Sequence, residues 1–360
     1  MDYKRRQSTL RGLLASNHLD AILVTHLPNI RYLCGFTGSA GLFLATENKS
    51  IFFTDGRYTE QANAEVRGAK VVIARNSILA LAATWLKNAK GSRGVLGLEA
   101  EHLTVSSHKR IKDNLPSGIR LKSAPPLVEN LRMVKDKDEI QIIRQAVNMG
   151  ADLFDKALKN IRPGVKEIDV AAEMEYLAHK AGALEMSFPT IVAGGLRSAL
   201  PHGRASEAAL PTDGFVVCDF GVILAGYCSD QTRTVALGRT STEARHAYEA
   251  VKDTQLASIE AVRPGASFSA PDNAGRKLLK KQGLAKYFTH STGHGVGIEI
   301  HESPRLAAGQ EDVFRPGMIV TIEPGVYLPG KFGVRIEDMV LVTESGCEVL
   351  TPTSKELIVI

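Results

Sequence analysis

The chain is poor in cysteine and has few strong charge signals. Its four cysteines among 360 residues, Cys34, Cys218, Cys228 and Cys347, form no close pair. That spacing excludes a Cys-x-x-Cys zinc or redox device, and a chain of this length can bury a core without disulfide staples, so a cytoplasmic location is expected. No apolar run approaches the roughly 18 residues that a membrane span needs, and no signal-length apolar stretch follows the basic cluster Lys4-Arg5-Arg6, so no membrane partner is expected. The 44 basic and 39 acidic residues leave a net charge of only +5, which gives no reason to expect a nucleic-acid partner. The surplus is uneven, with 18 basic against 10 acidic residues in 1–130 and 26 against 29 in the remainder. Two domains with different tasks are expected from that asymmetry and from the length.

The first 130 residues alternate short apolar runs with amphipathic segments. Strands are predicted at Ala21 to Val24, Gly41 to Ala45, Ile51 to Thr54, Val71 to Ala74 and Gly94 to Gly97. A helix is predicted from Arg5 to Asn17, where Leu10, Leu13 and Leu14 recur at helical spacing. This is an α/β domain with a mixed sheet. Pro125-Pro126 break the pattern before a long helix from about Asp138 to Asn160, with Ile140, Ile143, Val147 and Phe154 as its buried stripe. The expected domains are 1–128 and 129–360.

The second domain repeats itself weakly. Ile161-Arg162-Pro163-Gly164 closes one helix and Val262-Arg263-Pro264-Gly265 another, 101 residues later, and at that same offset Gly182 and Gly283 each stand where a helix wants a left-handed C-terminal cap. Thr240 with Glu243 reads as the capping box of the helix that ends at Val262. Two related halves are implied, each with paired helices followed by strands, facing each other across a cleft.

Each half carries a pair of acids on apolar strands. Strands 214–220 and 227–236, with a turn at Leu224-Ala225, would place Asp219 opposite Asp230. A turn at Pro329-Gly330 would place Glu323 opposite Glu337. A solvated acid at a strand end needs no explanation, but facing carboxylates repel and burial penalises them, so two such pairs call for a counter-charge. Arg233 and Arg335 lie near in sequence. Divalent cations answer better, because four carboxylates with histidine form a mixed oxygen and nitrogen set with enough bridging oxygens for two ions. The histidine comes from Thr289-His290-Ser291-Thr292-Gly293-His294-Gly295-Val296-Gly297, where small residues let the backbone approach a ligand. His301 follows closely and His202 lies in the other half. Gly293-x-Gly295-x-Gly297 lacks the strand-turn-helix setting of a dinucleotide loop, and Asp219-Phe220-Gly221 lacks the other motifs of a kinase.

These residues resemble a known family. Asp219, Asp230 within Ser229-Asp230-Gln231-Thr232-Arg233-Thr234, His294 in His-Gly-Val-Gly, Glu323 in Ile-Glu-Pro-Gly and Glu337 in Val-Arg-Ile-Glu-Asp are similar to the five metal ligands of the pita-bread metallopeptidases. That family includes methionine aminopeptidase, aminopeptidase P and prolidase. Asn29-Ile30-Arg31-Tyr32-Leu33, Gly35-Phe36-Thr37-Gly38-Ser39 and Asp55-Gly56-Arg57-Tyr58 resemble the creatinase-type domain that precedes the catalytic domain in the proline-directed members. The resemblance implies a pseudo-twofold α/β catalytic domain holding two divalent ions: manganese, or with the same ligands cobalt, zinc or iron. Asp230 and Glu337 would bridge the ions, Asp219 would chelate one, and His294 with Glu323 would complete the other. Glu323 would also carry a proton to the leaving nitrogen. His202 and His301 would contact substrate and stabilise developing charge, His290 would shape a proline pocket, and Arg335 would orient site carboxylates. The implied activity is removal of the N-terminal residue from peptides with proline second (an Xaa-Pro aminopeptidase). The alternative is an Xaa-Pro dipeptidase, with Arg305 reading the dipeptide carboxylate, and a remoter one is a non-catalytic binding module. Homodimerisation is implied by the resemblance alone.

Overall fold

Local sequence sets the elements of the computed structural model, which describes residues 1–90 and 93–360. Two units emerge, Met1–Arg132 and Met133–Ile360. The first runs α1 (Tyr3–Ser16), β1 (Ala21–Val24), α2 (Leu27–Cys34), β2 (Leu42–Thr46), β3 (Ser50–Asp55), α3 (Thr59–Glu65), β4 (Lys70–Ala74), α4 (Ile78–Lys90), β5 (Gly94–Glu99), α5 (Val105–Asn114), β6 (Ile119–Ala124) and α6 (Leu127–Arg132). Its mixed sheet has the order β4-β3-β2-β1-β5-β6, antiparallel through β1, β2 and β3 and parallel where β4, β5 and β6 join. Leu23, Leu44, Phe53, Leu86 and Leu96 form its core, and Trp85 is partly buried against them. The sixth strand, β6, was not among those predicted. It is an edge strand of the sequence Ile-Arg-Leu-Lys-Ser-Ala, and two apolar residues make too weak an alternation to read. The unit also ends four residues beyond the expected 128, because α6 packs back on α1 and α2.

The second unit begins with α7 (Lys137–Ala157) and α8 (Glu167–Lys180). Strands β7 (Glu185–Met186), β8 (Ile191–Gly194), β9 (Gly214–Phe220), β10 (Val222–Leu224), β11 (Tyr227–Cys228) and β12 (Gln231–Leu237) follow. A second helix pair comes next, α9 (Thr242–Glu260) and α10 (Ala270–Lys281). The chain then forms β13 (Gly293–Gly295), β14 (Glu302–Leu306), β15 (Ile319–Ile322), β16 (Gly325–Leu328), β17 (Phe332–Arg335), β18 (Asp338–Val342) and β19 (Cys347–Val349). The Asp136 side chain accepts from Glu139 N while Glu139 accepts from Asp136 N, a complete capping box that starts α7. At α9 the cap is Ser241, whose Oγ accepts from Ala244 N at 3.1 Å, one residue beyond the Thr240 expected. The helix begins at Thr242, so the cap falls to the residue just before it, Ser241, whose backbone is still extended at φ −66° and ψ 160°.

Five strands of each half correspond. The antiparallel set β8-β9-β12 of the first matches β13-β15-β18 of the second, and the hairpins β10–β11 and β16–β17 take the same place in each. Gly164 and Gly265, at φ +85° and +80°, turn the chain between paired helices, and Gly182 and Gly283, at +97° and +73°, follow α8 and α10. One antiparallel bridge, Thr232 to Glu337, joins the halves at their strands.

The register of the first hairpin differs from expectation. The two-residue turn is Ala225-Gly226, with φ +46° and +81°, so Leu224 pairs with Tyr227 and Asp219 with Thr232 rather than with Asp230. The predicted return strand 227–236 is split into β11 and β12, and Asp230 lies at the break, immediately before β12. In the second hairpin Ile322 pairs with Asp338 and Gly325 with Arg335. Glu323 and Glu337 therefore sit in register at the corresponding break.

Candidate metal centre

Both breaks are places where a hairpin leaves one sheet for another, so ladder pairing stops and side chains can converge. Asp230 and Glu337 each stand one residue before a return strand, β12 and β18, while Asp219 is the penultimate residue of β9 and Glu323 directly follows β15. Asp219, Asp230 and Glu337 are buried. His294, central in the short strand β13, completes the group. Ligand atoms of Asp230, His294 and Glu337 all lie within 4.8 Å of one another, and His294 Nε2 is 3.6 Å from both Asp230 Oδ2 and Glu323 Oε1.

Close backbone approach makes this convergence possible. A Cβ on Gly293 would fall 1.9 Å from Thr321 O, and one on Gly295 would fall 2.2 Å from Ser303 O. His294 Nδ1 lies 2.9 Å from Gly295 O, a contact that requires the proton on Nδ1 and leaves the Nε2 lone pair pointing at the carboxylates. Burial pushes the His294 pKa down to about 4, which keeps the ring neutral and fit to ligate.

The carboxylates show the opposite strain. Burial, followed by repulsion from Glu337, Asp219 and Glu323, raises Asp230 well above the usual carboxylate range. Burial, followed by Glu323 and Asp219, does the same to Glu337, and burial pushes Glu323 up to about 8. Asp219 Oδ1 and Asp230 Oδ1 are buried without a hydrogen-bond partner. Two orphaned oxygens inside one mutually repelling cluster of acids suit a cation, which would accept their lone pairs and offset their charge. Asp230, His294 and Glu337 lie close enough to hold a divalent ion, and the carboxylates of Asp219 and Glu323 border them.

Arg335 alone does not neutralise the group. Its NH2 donates to Asp219 Oδ2, its Nε to Thr232 Oγ1 at 3.0 Å, and its NH1 to Tyr327 Oη at 2.7 Å and to Pro201 O at 3.0 Å. Burial works against its charge, but Tyr327 and the carboxylates Asp219, Glu323 and Glu337 outweigh that and raise its pKa above the ordinary value. Arg233, the other basic residue considered, faces away from the cluster. It donates to Asp338 Oδ1 at 2.7 Å, to Glu337 O at 2.6 Å and to the carbonyls of Thr353 and Ser354.

The remaining histidines differ in how free they are. His290 is satisfied at both nitrogens, with Nδ1 on Ser291 O at 2.8 Å and Nε2 on Tyr327 Oη at 3.0 Å, and burial holds its pKa at about 4. It can offer a substrate its ring face and edge but no nitrogen. His301 is exposed and packs its ring edge-on against His294 at 4.4 Å. His202 is exposed too, and close enough to His301 and His290 to lower the pKa of each. Arg305 is exposed on β14 directly opposite His294.

Two participants escaped the sequence reading. Thr232 Oγ1 receives the Arg335 Nε–H and donates to Glu337 Oε2 at 2.7 Å, and Tyr327 Oη links Arg335 to His290. A threonine in a strand and a tyrosine in a hairpin carry no signal by themselves; only the register places them here.

Residues 141–344 match the description of metallopeptidase family M24, and residues 6–134 match the creatinase/prolidase N-terminal domain. A solved Xaa-Pro dipeptidase from Bacillus anthracis shares 41% identity with this chain at a TM-score of 0.96, covering 100% of each. An Xaa-Pro dipeptidase of Pyrococcus furiosus is 35% identical over 99% of this chain and 100% of its own length. The X-Pro aminopeptidase structure from Thermotoga maritima is 33% identical, with a TM-score of 0.89 over 98% of this chain and 99% of that one.

Proposed function

Since the chain belongs to metallopeptidase family M24 and carries a creatinase/prolidase N-terminal domain, we propose that it hydrolyses the bond between an N-terminal residue and a following proline. The observation that carries this reading is the buried cluster of Asp219, Asp230, His294, Glu323 and Glu337 with two orphaned carboxylate oxygens. A proline nitrogen carries no hydrogen, so peptidases that grip that N–H fail at such bonds and a dedicated site is chemically sensible. Two divalent ions bound there would lower the pKa of a water between them and polarise the scissile carbonyl. An oxygen-rich set with a single histidine suits manganese, which we propose as the metal, and cobalt, zinc and iron are accepted by the same donors.

The chain's own groups supply the rest. Glu323, with Oε1 facing the His294 side of the cluster, holds the water's proton and passes it to the departing proline nitrogen. His301 and His202, exposed beside the ligands, donate to the carbonyl oxygen as negative charge grows on it. His290, its nitrogens spent on Ser291 and Tyr327, supplies an aromatic wall for the pyrrolidine ring, and Arg335 keeps Asp219 and Thr232 in place.

Substrate length separates two readings. The sequence favours an Xaa-Pro aminopeptidase. Arg305, exposed on the strand that pairs with that of His294, is the residue that would serve a dipeptidase, since a guanidinium can grip the carboxylate of a two-residue substrate. Hydrolysis of Ala-Pro, Ala-Pro-Ala and Met-Ala-Ser by metal-stripped protein, with and without manganese, tests both. Metal-dependent cleavage of Ala-Pro alone assigns the dipeptidase, and cleavage of Ala-Pro-Ala assigns the aminopeptidase. No cleavage of any peptide would refute the proposal and return weight to a binding module. We further propose a homodimer, on family resemblance, which sedimentation equilibrium tests. A cytoplasmic location agrees with four free cysteines, and among the described residues no helix is long and apolar enough to cross a membrane.

A further inference from the structure

One buried ion pair of the second unit has no part in the ligand cluster. Lys135 lies ahead of α7 with its side chain 1% exposed, and its Nζ donates to Glu302 Oε1 at 2.7 Å, where the Glu302 side chain is 7% exposed. The lysine's backbone is anchored as well: Lys135 N donates to Gly317 O at 2.9 Å, and Val134 forms an antiparallel bridge with Met318. The carboxylate folds back across Gly297, where a Cβ would fall 2.4 Å from Glu302 Oε1. Gly297 in turn is tied to β11, since Cys228 N donates to Gly297 O at 2.7 Å.

These contacts bracket the loop between β13 and β14. The loop leaves the sheet after Gly295, one residue past an irregular register step at His294, and returns through His301 immediately before Glu302. A desolvated ion pair seldom stabilises a fold more than an apolar pair of the same volume, but it does fix one geometry. What this pair fixes is the segment on which His301 stands with its ring 4.4 Å from that of His294.

We propose that Lys135 and Glu302 are positioning residues that hold the 296–301 loop so that His301 meets the substrate. The inference rests on the reading of His301 as a substrate-contacting residue, and neither member of the pair touches substrate itself. Placement of a group that acts on the transition state should appear in kcat rather than in KM.

The test uses manganese-loaded enzyme and whichever proline peptide it cleaves. Breaking one partner of a buried pair can unfold a protein, so the main variant is the neutral pair Lys135→Met with Glu302→Gln, and Lys135→Arg serves as the conservative rescue. The neutral pair should lose about tenfold or more in kcat, with KM within about twofold of the parent. Manganese affinity by calorimetry should stay within about twofold, and Lys135→Arg should recover most of the rate. Adding His301→Ala to the neutral pair should cost no more than His301→Ala alone, because residues acting through one another are not additive. Losses that multiply, or a fall in manganese affinity, would overturn the inference by showing that the pair acts elsewhere. So would a silent neutral pair in an enzyme that His301→Ala impairs. Full turnover in His301→Ala would instead sink the reading of His301, and the inference with it.

Discussion

At the scale of single residues, the centre is a set of acids that could not be buried together without a partner, and its supports are ordinary side chains in special places. Thr232 is the clearest. Replacing it with valine keeps the shape but strands the Arg335 Nε–H and removes the hydroxyl from Glu337. Thr232→Val should weaken manganese binding by about 10- to 100-fold, read by calorimetry, and cost about 1 to 3 kcal/mol in urea unfolding; an unchanged affinity would refute the role. The cluster also sets the sign of a pH effect in metal-stripped protein. Folding raises the carboxylate pKa values, Glu323 to about 8, so the folded state binds protons more tightly and this stabilisation is lost as pH rises through the raised values. His290 and His294, held at about 4, have the opposite sign, but their contribution is complete above their ordinary value of 6.5. Between pH 6.5 and about 8.5 the Tm of stripped protein should therefore fall, while that of manganese-loaded protein should not. Differential scanning calorimetry at three pH values decides it. The acids that converge here drew notice in the sequence because acids on apolar strands are anomalous; Thr232 and Tyr327 did not, because nothing about either is anomalous until the strands are paired.

Elements explain where reading the sequence succeeds and where it slips. The helix pairs were legible through glycine: Gly164 and Gly265 each take a left-handed turn in open space, so a methyl there meets no neighbour and only the backbone resists. Gly164→Ala and Gly265→Ala should thus each cost about 1 kcal/mol, and by nearly equal amounts, in equilibrium unfolding. A large inequality would deny that the turns are equivalent. The first hairpin was misread by one residue because the turn admits an alanine at φ +46°, a conformation that composition does not advertise, ahead of Gly226. That single step moved the partner of Asp219 from Asp230 to Thr232. It also exposed the actual design, in which the bridging candidates Asp230 and Glu337 occupy matched breaks rather than ladder positions.

On the scale of the molecule, the two units have separate cores, the candidate metal centre lies in the second, and the sole tryptophan, Trp85, belongs to the first. Asp230→Ala or Glu337→Ala should abolish manganese binding and turnover while leaving the denaturation curve followed by Trp85 emission unchanged. Full turnover in either variant would end the bridging assignment. The uneven charge and the prolines at 125–126 are what the sequence offers for a division, and α6 adds no signal because a six-residue helix is too short to show a face.

The arrangement of two related halves divides the proposed ligands, Asp219 and Asp230 in one, His294, Glu323 and Glu337 in the other. Behind Glu337, Arg233 grips the carbonyls of Thr353 and Ser354. Asp230 and Glu337 are more than a hundred residues apart in the chain, and the acids of the first half find their complement only when the second half packs beside them. Neither half alone carries the full set that would hold the ions. Metal binding would then be coupled to the pairing of the two halves, and stripped protein would keep its second unit folded against its own charge.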